Sequence, residues 1–138
     1  MAPKRLAFPL PMRLIPNRLQ TDPTALLIYK ITPRFLWCKA EATGTFTGAP
    51  VDHSDGFIHF STADQARETA ARHFAGQDDL VLVAVEAAAL GSVLKWETSR
   101  GGALFPHLYG PLALTVVRWA RPLPLGADGL HRFPEEFA

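Results

Sequence analysis

One cysteine, two tyrosines and a net charge of +1 are all that 138 residues offer in those categories. The lone Cys38 excludes an internal disulfide and a cysteine-rich zinc site. It fits a reducing compartment, so a cytoplasmic location is expected. Near-balanced charge gives no electrostatic pull toward nucleic acid or an anionic membrane. No apolar run approaches the ~20 residues that cross a bilayer. Also missing are a glycine-rich phosphate loop, a nucleophile elbow and a zincin helix. His53, His59, His73, His107 and His131 lack close ligand spacing, so no metal site is expected.

What is present is ordinary for one globular domain: 48% hydrophobic and 20% charged residues. The first 23 residues stand apart. Lys4, Arg5, Arg13 and Arg18 against Asp22 make them net +3, and they hold five of the twelve prolines. Proline at that density opposes helix and sheet. Residues 1–24 are therefore expected to be a flexible extension, 25–123 a single domain and 124–138 a loose tail.

Within the domain, Leu26 to Ile31 reads as a strand and Thr32-Pro33 as a helix start running to Gly44. Phe35, Cys38 and Ala42 mark its expected inner face. Thr45 to Asp55, with Gly48 and Pro50, reads as a loop. Phe57 to Phe60 is a strand. Thr62 and Gln65 then form a capping box for a helix reaching Phe74. Leu80 to Glu86 is a continuous apolar run, as in a central strand covered on both faces. Val93 to Glu97 and Leu114 to Arg121 are further strands. Helices early and strands late predict an α+β domain on a split or curved sheet.

Two stretches carry chemistry. Trp96 to Gly102 runs into Phe105-Pro106-His107-Leu108-Tyr109 and crowds an acid, a base, a titratable ring and aromatic faces around Gly101-Gly102. Gly56 to Thr62 puts His59 in a strand just before a helix N-terminus, where free N–H groups favour anions. Glu97 beside an indole is a candidate acid–base group. Arg100 has the fork for a phosphate or carboxylate. His107 and Tyr109, two apart in extended backbone, point the same way. His59, Glu97 and His107 are the candidate catalytic residues. Tyr29, Lys30, Ser61, Thr62, Trp96, Arg100 and Tyr109 are the candidate ligand-binding residues.

Ile28 to Thr32, Gly56 to Ser61, Asp79 to Leu82, Lys95 to Glu97 and Phe105 to Leu112 resemble, in order, a bacterial family known as domain of unknown function 952. The resemblance covers about residues 26–123. That family is in turn similar to the ADP-ribosyltransferases and RNA 2′-phosphotransferases. The likeness implies a split β-sheet gripping NAD or an ADP-ribose-like ligand; the residues themselves name no cofactor. Lys30 then stands where an adenosine-side His belongs, and His59 where Tyr is frequent. His107-Leu108-Tyr109 occupies the place of the catalytic Glu, with Glu97 the nearest acid. The expected function is binding of a nucleotide-like or phosphorylated ligand, with ADP-ribosyl or phosphate transfer. Nucleic acid enters only as an RNA end. The alternative is a non-catalytic protein- or metabolite-binding domain that kept the fold.

Overall fold

A computed structural model describes residues 26–137, so the expected N-terminal extension lies outside the described residues. Strands β1 (Leu27–Pro33), β4 (Leu80–Glu86) and β8 (Val117–Leu123) form an antiparallel sheet with β4 in the middle. The sequence reason is the run LVLVAVE. Its alternate side chains all find apolar partners because both faces are covered.

One face of this sheet, through Tyr29, Ile31, Leu80, Leu82 and Ala84, meets helix α3 (Ala63–His73) and the C-terminal Phe137. Ala66 and Ala70 are the contact residues, and their small side chains let the helix sit close. The other face, through Ile28, Val81, Val83 and Val85, meets helix α1 (Arg34–Thr43) and a second sheet. Each fully buried aliphatic side chain in these layers contributes about 1.5–3 kcal/mol.

The second sheet is β3 (Ile58–His59), β6 (Leu104–Leu108) and β5 (Leu94–Thr98), all antiparallel. A two-stranded ribbon, β2 (Thr45–Phe46) with β7 (Leu112–Ala113), lies beside α1. The two larger sheets touch through one bridge, in which Tyr29 and Ser61 exchange backbone hydrogen bonds at 2.7 and 2.8 Å. The chain is thus α+β, with antiparallel sheets and few helices.

Three local expectations change. Helix α1 buries Trp37 and Ala40, while Phe35 is 65% exposed and Cys38 is exposed. Thr32 is drawn into β1 instead of capping, so Pro33 takes the cap position and the helix starts one residue later. The expected loop 45–55 contains β2 and the short helix α2 (Pro50–Asp55). The expected loose tail is packed: Leu125 bridges His131, His131 Nε2 contacts the Gln77 carbonyl at 2.8 Å, and Phe137 meets Tyr29 edge-on at 4.9 Å. Aromatic burial against the α3 face supplies the free energy that a list of polar tail residues hides.

Candidate functional site

The site begins with α2, which at six residues is too short to persist alone. Pro50 sits at its first turn, where a missing N–H costs nothing. Asp52 reaches back, its Oδ2 accepting from Ala49 N at 2.8 Å. Gly56 ends the helix at φ 89° and donates to the Asp52 carbonyl at 2.8 Å. Gly48 is needed for another reason. A Cβ there would lie 2.9 Å from the Asp52 Cβ, at a backbone φ of +112° that strains other residues.

All of this delivers one carboxylate into the gap between the sheets. Antiparallel continuation from the Tyr29–Ser61 bridge would set His59 opposite Ile31, but the strands part before that. Asp52 Oδ1 fills the gap and accepts from His59 N at 3.0 Å. The same oxygen meets His59 Nδ1 at 2.6 Å, and Lys30 Nζ lies 2.8 Å from Oδ2 and 3.0 Å from Oδ1. Asp52 is 1% exposed and the Lys30 side chain 5%. Burial pushes the Asp52 carboxyl up. The His59 hydrogen bond, the Lys30 charge and the Ala49 N–H outweigh that and hold it well below the usual carboxylate range. Burial lowers the Lys30 ammonium, and Asp52 offsets part of the fall.

Strand alternation then assembles the histidine face, in which His107 is buried beneath Phe57 and His59 is part-exposed. His59 and His107 are paired directly across β3 and β6, with ring centroids 5.6 Å apart. Phe57 stacks on His107 at 4.0 Å and 24°, and it also touches His59 and Tyr109. Glu97 Oε1 accepts from Tyr109 Oη at 2.8 Å and meets His107 Nδ1 at 2.7 Å. Those bonds, His107 first, hold the Glu97 carboxyl below its ordinary value; the Glu97 bond in turn raises the Tyr109 phenol. Nε2 of His107 makes no hydrogen bond with the described residues. Nε2 of His59 meets Asp55 Oδ2 at 2.9 Å. Lys95 stands opposite His107 on β5.

The fold therefore brings together four of the expected residues: His59, Glu97, His107 and Tyr109. Others go elsewhere. Tyr29 is buried between Trp119 and Phe137, and burial raises its phenol. Lys30, a candidate ligand-binding residue, is enclosed and paired with Asp52. Trp96 pairs with Pro106, on the face opposite Glu97 and His107, because neighbours on a strand point apart. Ser61 Oγ bonds Thr69 Oγ1 at 2.9 Å. Thr62 serves α3, its N–H bonding Gln65 Oε1 at 3.0 Å. The Arg100 side chain lies outside the described residues. Asp52 and Asp55 were not anticipated. A lysine midway along an apolar strand was the available signal, since a buried ammonium needs a carboxylate.

A separate open groove of about 290 Å³ lies beside the α3 N-terminus, lined by Leu26, Leu27, Tyr29, Thr62, Ala63 and Asp64. Among the described residues no cluster of three His, Cys, Asp or Glu side chains is arranged to hold a metal. None of the described helices is long and apolar enough to cross a membrane.

Fold and site define a small α+β protein with a polar, aromatic face built on paired histidines. Its residues 31–120 match the family described as protein of unknown function DUF952, and the chain belongs to that family. It is similar to the crystal structure of protein CC0527 from Caulobacter crescentus. Identity there is 54% and the TM-score 0.77, over 80% of this chain and 97% of that one. The solution structure of the same protein gives 58% identity and a TM-score of 0.69, over 75% and 90% of the two chains. No curated protein matches.

Proposed function

We propose that this chain binds a nucleotide-like or phosphorylated ligand across the β3–β6–β5 face and transfers a group on it. The observation that supports this reading is the cross-strand pair His59–His107, each ring held at Nδ1 by a carboxylate and packed against Phe57, which in turn meets Tyr109. A carboxylate at Nδ1 fixes the orientation of an imidazole and leaves Nε2 for the ligand. One imidazole takes the proton of an attacking hydroxyl and the other returns a proton to the leaving oxygen, so no net proton is consumed. Phe57 and Tyr109 offer rings to a base, and Lys95 offers charge to phosphate. Phosphate transfer suits paired histidines. ADP-ribosyl transfer from NAD rests on Glu97 acting as the late-strand acid of ADP-ribosyltransferase-like folds.

A non-catalytic binding domain is the second reading. It is favoured by the way Asp55 and Phe57 already occupy His59 and His107. The test is a melting-temperature screen with ADP, ADP-ribose, NAD and RNA ends bearing a 2′-phosphate. A ligand at ~100 times its Kd stabilises by about 2.7 kcal/mol. The expected result is a rise with at least one of them that is lost in His59→Ala and His107→Ala. Product formation with that ligand separates transfer from binding. No rise with any of them rejects the proposal.

A further inference from the structure

We propose that the buried Lys30–Asp52 pair is a positioning device for His59, and that it aims Nε2 at an anionic ligand group whose place the Asp55 carboxylate now holds. This rests on the reading of the histidine face as a ligand site and says how that site is set and occluded.

The argument starts from cost. Burying an ammonium and a carboxylate gives up hydration that their mutual attraction only partly returns, so an apolar pair of similar size is usually as stable or more so. Stability therefore does not explain Lys30 and Asp52. What the pair does locally is specific. Asp52 Oδ1 holds His59 by two points, backbone N at 3.0 Å and ring Nδ1 at 2.6 Å. Two bonds from one oxygen to one residue fix both the strand position and the ring plane. Lys30 Nζ, bonded to both Asp52 oxygens, and Ala49 N stop the carboxylate from turning. The ring is left only 33% exposed, with Nε2 its outward atom.

Asp55 supplies the second half. Its carboxylate is about half exposed and belongs to the last residue of α2, four before His59. It meets Nε2 at 2.9 Å from the solvent side. A neutral imidazole has one N–H, so both carboxylates are hydrogen-bonded only when both ring nitrogens carry hydrogen. The outward nitrogen is thus built to donate to an anion. Asp55 is a weakly held one, since an exposed pair is worth little and its side chain turns easily into water. A phosphate with more charge and more acceptor oxygens competes with it directly.

The experiment is a titration of the 15N-labelled full chain with inorganic phosphate and with ADP, read by long-range 1H–15N correlations of the histidine rings. In the wild type, His59 Nδ1 is expected to carry hydrogen, and Nε2 to shift on ligand addition. Asp55→Ala is expected to tighten phosphate binding about 5-fold or more, the loss of one competing charge contact. The double variant Lys30→Met/Asp52→Asn is expected to keep a cooperative melt, loosen binding more than 10-fold and lose the hydrogen-bonded signature of His59 Nδ1. Unchanged phosphate affinity in Asp55→Ala overturns the stand-in role. A wild-type Nδ1 signature and affinity in the double variant overturn the positioning role. Ligand shifts at His107 without either variant effect leave the ligand reading standing and this inference rejected. A wild type whose His59 and His107 respond to neither ligand rejects this inference, and rejects the ligand reading too when the melting screen is also silent.

Discussion

At the residue scale the protein turns on which oxygen faces which nitrogen. Glu97 Oε1 takes hydrogen bonds from two sources, the Tyr109 phenol and the His107 ring. Removing its charge should release Tyr109. In Glu97→Gln the phenol, held up mainly by that carboxylate, is expected to titrate at lower pH, nearer its ordinary value. Absorbance of tyrosinate against pH measures this directly, with Tyr109→Phe identifying the signal. Asp52, the buried carboxylate, contributes to the pH dependence of folding. Its folded carboxyl titrates below the unfolded value, so the stability it contributes is present above the unfolded pKa of about 3.9. That contribution is lost as pH falls from there toward the folded value. Melting temperatures from pH 6 to pH 2 should fall steeply below pH ~4 in the wild type, and less steeply in Lys30→Met/Asp52→Asn.

At the element scale, periodicity explains what the sequence revealed and what it hid. Leu80 to Glu86 is legible as a central strand because seven residues in one apolar run need cover on both faces. Helix α3 is legible from Thr62, Gln65 and its alanine stripe. Helix α2 is not, since six residues give under two turns and their order depends on Asp52 reaching Lys30, 22 residues away. The Pro50–Asp52 spacing after Ala49 does fit a helix start, but among Gly48, Ser54 and Gly56 it reads equally as a turn. Gln65 shows how one side chain ties two elements: its Oε1 accepts from Thr62 N and its Nε2 donates to the Leu104 carbonyl at 2.7 Å. Gln65→Ala is expected to cost about 0.5–2 kcal/mol, the range for a lost cap, measured by urea unfolding. An effect below that range would mean that solvent replaces both bonds.

At the scale of the whole molecule, the histidine face exists because two sheets meet at one bridge and then part. Residues at both ends of the domain hold that arrangement. Phe137 is 8% exposed, packed on Tyr29 and Phe133, with the Arg67 guanidinium 5.1 Å from its ring centre. Composition alone did not reveal this, because the partners of Phe133 and Phe137 lie on β1 and α3, far back in the chain. Phe137→Ala is expected to destabilise by about 3–5 kcal/mol while leaving the His59 and His107 ring signals in place. Calorimetry and ring NMR together check both halves. Of the site, His59, Glu97, His107 and Tyr109 could be read from strand alternation, whereas Lys30 and Trp96 could not be placed. A strand's period tells which residues share a face, but not which face is the core.

The ligand's location tests the central claim most directly. Backbone and ring 1H–15N shifts of the full chain, followed through a titration with ADP, should change at Phe57, His59, Glu97, His107 and Tyr109 and lose that response in His107→Ala. Changes confined to Leu26, Leu27 and Thr62–Asp64, in the groove beside α3, would contradict it.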